Sequence, residues 1–139
     1  MSALGALAYS ATQPKARVFV SFVRHSFRTD DVLRFVKHLS RHIRGRVTLV
    51  WDNLAAHKSR KLKDWIERHP RFRLAYLPAY APELNPVEGL WSWLKTNHLA
   101  NVCADTLDPV VALAREGTKS ARRRQPLLWS FLDKAGLSL

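Results

Sequence analysis

The sequence has a single cysteine, Cys103. A lone thiol excludes an intrachain disulfide and any cysteine-based zinc cluster, and it suits a reducing cytoplasm. Acidic residues are scarce: 11 Asp and Glu stand against 23 Lys and Arg, for a net charge of +12. Long apolar runs are missing too. The apolar stretch at residues 2–8 is too short to cross a membrane and reads as a strand. There are no repeats and no low-complexity linker. With 47% apolar residues the chain can build a core, which excludes a disordered tail. Its 139 residues suffice for one compact domain but not for two ordinary ones. So large a positive excess on a small domain points to a polyanionic partner, nucleic acid first, with a ribosomal or merely basic protein as the plainer alternative.

The pattern along the chain alternates. Two runs, Ala3–Tyr9 and Arg17–Val23, flank a turn at Gln13–Pro14 and predict a strand pair. Thr29, Asp30 and Asp31 open a helix whose apolar residues Val32, Leu33, Phe35, Val36, Leu39 and Ile43 share one face, and Gly45 ends it. The continuous apolar run Val47–Trp51 predicts a buried parallel strand. Lys58–Arg68 predicts a basic amphipathic helix with Leu62, Trp65 and Ile66 inward, followed by a strand at Phe72–Leu77. A proline-rich loop at Pro78–Pro86 leads to a helix at Val87–His98, with Val87, Leu90, Trp91 and Leu94 at helical spacing. Further helices are expected at Thr106–Lys119 and Pro126–Ala135. This order implies an α/β fold around a mixed sheet.

Two carboxylates stand out. Asp52 ends the Val47–Trp51 strand, and open α/β sheets gather ligands at the carboxyl ends of their strands. A turn or cap explains it equally well. Glu88 falls in the first turn of its helix, where Asn85 as N-cap and Pro86 as first residue make a capping box the simpler reading. Glu88 nevertheless shares a face with Ser92 and Lys95, away from the apolar stripe. Taken together, two carboxylates on neighbouring elements form a hard-oxygen site suited to Mg²⁺ or Mn²⁺. A pair of such ions roughly 3.5–4 Å apart can cleave a phosphodiester, although two acids are marginal for two ions. Glu83, in its proline-flanked loop, is a poor third. His57, with Asn53 before it, is a ligand or proton shuttle on one reading and a packing residue on the other. Lys58, Arg60, Lys61 and Lys63 suit phosphate contacts or a solvated face, and Arg122–Arg124 form a second basic run. Trp51, Trp65, Trp91, Trp93 and Trp129 are core candidates, with Trp93 off the stripe and able to stack on a base.

The segment Val50-Trp51-Asp52-Asn53-Leu54-Ala55-Ala56-His57-Lys58-Ser59 resembles the second-aspartate block of insertion-sequence DDE transposases of the mariner superfamily. The segment from Leu77 to Trp91, LPAYAPELNPVEGLW, resembles their third-carboxylate block. Residues 53 to 87 separate the two acids, close to the family's usual distance. The resemblance implies a ribonuclease H-like mixed sheet flanked by helices and metal-dependent DNA strand cleavage and transfer at transposon ends. It makes Asp52 and Glu88 the second and third catalytic metal ligands, with Asn53, His57, Asn85 and Pro86 in support. It implies two Mg²⁺ or Mn²⁺ ions in the complete enzyme. DNA is the expected partner, touched by Lys58, Arg60, Lys61, Lys63, Lys95, Arg122, Arg123 and Arg124, and no membrane is.

The family's first acid lies on a central first strand that the resemblance does not reach. Asp30 and Asp31 precede Asp52 but fit helix capping. The expectation is therefore a transposase fragment: residues 1–100 a partial catalytic domain, residues 101–139 its helical extension, and an upstream transposase segment the supplier of the first Asp. A homo-oligomer is expected of the complete enzyme. The rival expectation is a DNA-binding remnant without chemistry.

Overall fold

The computed structural model describes residues 2–52, 58–100 and 107–139. Its order of elements is β1 (Ser2–Ala8), β2 (Arg17–Val23), α1 (Thr29–His42), β3 (Val47–Trp51), α2 (Arg60–Glu67), β4 (Phe72–Tyr76), α3 (Pro86–Asn97), α4 (Leu107–Arg122) and α5 (Gln125–Lys134). The α/β class expected from the alternation is present. The strands pair as two two-stranded sheets, β1 with β2 and β3 with β4. Two compact units result, Met1–Leu4 with Val23–Pro82, and Gly5–Phe22 with Glu83–Leu139.

The first unit is built on α1. Asp30 and Asp31 place negative charge in its first turn, where the helix dipole favours it. The buried Asp31 carboxylate accepts the Arg28 N–H at 2.8 Å and lies 3.4 Å from the Arg34 guanidinium. Asp30 pairs with Lys61 at 3.0 Å. Both acids thus serve the helix start and the surface. Val32, Val36 and Leu39 repeat at helical spacing and are buried. At the other end of α1, the Arg71 guanidinium donates to the carbonyls of Ser40, Ile43 and Gly45 at 2.6, 2.7 and 3.0 Å. It thereby satisfies acceptors that a helix end leaves over. Gly45, at φ +82, turns the chain into β3.

Strand β3 runs parallel to β4 in the register Val47–Phe72 to Trp51–Tyr76, with α2 in the crossover between them. Helix α2 is shorter than the expected Lys58–Arg68. The Ser59 hydroxyl caps it by accepting the Leu62 N–H at 3.3 Å, and Arg68 is its C-cap. Leu62, fully buried, and Trp65 join Leu4, Val32, Val36 and Phe72 in one core. The expectation of a buried β3 is not met. None of its five residues is buried, and Val50 is 48% exposed. Burial of a parallel strand requires cover on both faces and a neighbour at each edge. Among the described residues β3 has β4 on one edge and no strand on the other.

The second unit packs α3, α4 and α5 with most of the β1–β2 pair. Leu90, Leu94, Ala121, Leu128, Phe131, Ala16 and Val18 form its core. Helix α4 presents the small residues Ala114, Gly117, Thr118 and Ala121, which lets α3 come close: a Cβ on Gly117 would lie 2.5 Å from Leu94 Cδ2. Helix α5 holds the β1–β2 connection. Ala16 and Gln125 exchange two hydrogen bonds, at 2.7 and 3.0 Å. Trp129 Nε1 donates to Pro14 O at 2.9 Å, and Tyr9 donates to Leu128 O at 2.6 Å.

Candidate metal centre and nucleic-acid interface

Asp52 follows the last residue of β3, at the carboxyl end of a parallel strand. This end is anchored by the Leu77 N–H, which donates to Trp51 O at 2.7 Å. Asp52 is half-buried and belongs to the first unit. Asn53 and His57 lie outside the described residues.

Glu88 belongs to the second unit, in the first turn of α3. Asn85 is the N-cap and its side-chain oxygen accepts the Val87 N–H at 3.2 Å, with Pro86 as the first helical residue. The reciprocal half of a capping box is not formed. The Glu88 carboxylate has no hydrogen bond or ion pair among the described residues, whereas Asp31 at the corresponding position of α1 does return to its N-cap. Glu88, Ser92 and Lys95 form the exposed face of α3, opposite the fully buried Leu90 and the buried Leu94. Capping therefore does not account for the glutamate. Its helix does the capping with Asn85 and leaves the acid in solvent.

Both acids carry hard oxygen donors, the type Mg²⁺ and Mn²⁺ select. Among the described residues no three His, Cys, Asp or Glu side chains gather into a group able to hold a metal.

The expected phosphate-contacting residues divide between the units. Lys58, Arg60, Lys61 and Lys63 are exposed in or just before α2. Lys58 lies over the Tyr76 ring at 5.7 Å, and Lys61 is committed to Asp30. Lys95 is exposed on α3, and Arg122–Arg124 span the end of α4 and the step into α5. Trp93 packs against the core of its unit, with the Arg124 guanidinium 6.0 Å from its ring. Tyr80 belongs to the segment that resembles the third-carboxylate block. It stands fully exposed at φ 57 in the loop before α3. Arg115 and Lys119, not singled out by the sequence, recur with Arg122 at i, i+4 and i+7 along α4.

Residues 5–110 match the family model of the DDE superfamily endonucleases. The chain belongs to that family. The match includes Asp52 and Glu88 with the elements that carry them. A 48-residue stretch of this endonuclease-family chain is also 46% identical to a 39 kDa protein of insertion element IS630 from Shigella sonnei. That stretch is 34% of the present chain and 14% of the relative. Among the described residues no helix is long and apolar enough to cross a membrane.

Proposed function

We propose that this chain is the part of a mariner-superfamily insertion-sequence transposase that carries two of its three metal-binding carboxylates, Asp52 and Glu88. The observation that carries the reading is the state of Glu88: an exposed first-turn acid that makes no capping bond to its own helix, inside the stretch that matches the endonuclease family. Asp52, at the carboxyl end of β3, is the other ligand. Bound Mg²⁺ or Mn²⁺ would activate water and stabilise the leaving oxygen of a phosphodiester. Asp52 and Glu88 would each supply oxygen ligands to such a metal. Asn85 and Pro86 fix the start of α3 and so the height of Glu88, with Asn53 and His57 in support. Lys58, Arg60, Lys61, Lys63, Lys95 and Arg122–Arg124 position the DNA by its phosphates. The cytoplasm, where DNA and free thiols coexist, is the proposed location.

The third acid comes, on this reading, from a transposase segment whose strand pairs with the open edge of β3. Such a strand would cover the exposed Val50 and supply the missing ligand. The rival reading is a DNA-binding remnant without chemistry, which rests on the basic residues alone. One assay separates the two. The chain, with and without the acid-bearing segment, is incubated with supercoiled DNA and Mg²⁺ or Mn²⁺. Metal-dependent nicking only in the presence of the segment, lost in Asp52→Ala and in Glu88→Ala with DNA affinity retained, is the expected result. Nicking by the chain alone refutes the incomplete site, and no nicking by the complemented chain leaves the remnant.

A further inference from the structure

In the second unit, β2 and α4 border an open cavity of about 300 Å³ lined by Val20, Ser21, Phe22, Arg115, Thr118, Lys119 and Arg122. Three of its seven lining residues are cations and none is an acid. The cations recur along one face of α4 at i, i+4 and i+7, where like charges repel and weaken a helix. No ion pair neutralises any of them among the described residues. Arg122 is held in place, its Nε donating to Val18 O at 3.1 Å. No other hydrogen bond of its guanidinium is formed within the described residues, so its remaining donors are available. Arg115 is steadied by the Phe22 ring at 5.7 Å. The Thr118 hydroxyl is spent on Ala114 O at 2.8 Å, which keeps this wall of the cavity compact.

We propose that this cavity binds a phosphodiester of a DNA strand, as a backbone-holding site separate from the carboxylates. Guanidinium groups match phosphate oxygens with paired N–H donors, and a lysine adds a point charge. A cluster of uncompensated cations around a concave surface focuses potential toward an anion of that size. The wall of Val20 and Phe22 offers apolar surface to the sugar or base beside the phosphate. Contacts of this kind fix the strand's register without reading its sequence. The inference rests on the reading of the chain as a DNA-handling transposase domain.

The test is fluorescence anisotropy of labelled duplexes titrated with the chain over a range of salt. Arg115→Gln with Lys119→Gln should weaken binding alike on unrelated sequences. It should also reduce the slope of log affinity against log salt by about 1, the share of one phosphate contact. Removing the same charge from α1, as Lys37→Gln with Arg41→Gln, should leave the slope unchanged. Glutamine is a good helix former, so thermal stability should hold or rise as the repulsion is relieved. An equal loss of slope in both double variants overturns the site in favour of net charge alone. Inorganic phosphate replacing chloride at the same ionic strength should not displace the DNA. Displacement that the Arg115/Lys119 variant abolishes would assign the cavity to free phosphate and overturn the proposal. Normal DNA binding with an unaltered slope in the variant refutes the cavity and spares the transposase reading, whereas no DNA binding by the unaltered chain refutes both.

Discussion

Gly89 follows the proposed ligand Glu88 and faces Phe131 of α5. A Cβ at this position would lie 2.8 Å from Phe131 Cδ1, 3.2 Å from Cγ and 3.4 Å from Cβ. Carbon atoms in contact settle near 3.5–4.0 Å, so the closest approach is short by roughly 1 Å. The obstruction is the root of a buried aromatic side chain, not the tip of a flexible one. Gly89→Ala must therefore displace the ring or separate α3 from α5. Overpacking of this kind costs about 1–3 kcal/mol. Alanine recovers about 1 kcal/mol of helix propensity, so the net loss is about 0–2 kcal/mol. The decisive comparison is a double-mutant cycle with Phe131→Leu, whose methyls can turn away from the new Cβ. In that background Gly89→Ala should become neutral or stabilising, for a coupling energy of about 1–3 kcal/mol. Urea denaturation of the four proteins measures it. An equal effect of Gly89→Ala in both backgrounds, or a clear gain of stability in the parent, would refute the argument that the glycine exists to admit the ring.

Three further outcomes are expected. Ser59→Ala removes the cap of α2 and should cost about 1 kcal/mol by urea denaturation, with Ser59→Asp recovering most of it. Leu62→Ala opens a cavity in the core of the first unit and should cost about 2–5 kcal/mol, whereas Lys61→Ala, which breaks a pair with both side chains 67% exposed, should cost no more than about 1 kcal/mol. Burial, and secondarily Asp133, pushes the Tyr9 phenol up to about 12 from 10.0. The fold favours the neutral phenol, so this contribution is intact below pH 10.0 and is lost as the pH rises toward about 12. Stability curves of the parent and Tyr9→Phe should converge over that interval; parallel curves would contradict the raised value.

Local chemistry made much of this legible. The acids that open α1, the Asn85–Pro86 start of α3 and the helical spacing of Leu90 and Leu94 each depend on residues a few positions apart. What was misread depends on distant ones. The composition of Val47–Trp51 is that of an interior strand, but its exposure is decided by what stands beside it. Glu88 sits in a spacing that permits a capping box, and only the geometry shows that Asn85 caps alone. Arg71 ends α1 from 26 to 31 residues away, and Gln125 binds Ala16 across 109, pairings that no periodicity announces. The basic face of α4 was readable in principle at i, i+4 and i+7. It was overshadowed by the denser run at Arg122–Arg124.

The bonds from α5 to Tyr9, Pro14 and Ala16 also set an order of synthesis. Residues Val23–Pro82 supply nearly all of the first unit, so it can form while the ribosome is still making the rest. The second unit cannot. Its earliest residues, from Gly5 on, wait for Leu128, Phe131 and Trp129, more than a hundred residues later, before their core is complete. At about 5–20 residues per second that wait lasts about 6–25 seconds, with apolar strand surface available to chaperones and to other nascent chains. A stop codon shortly before Gln125 would leave every earlier element intact in sequence terms. In the folded protein it would withdraw the element that holds Tyr9, Pro14 and Ala16 in place.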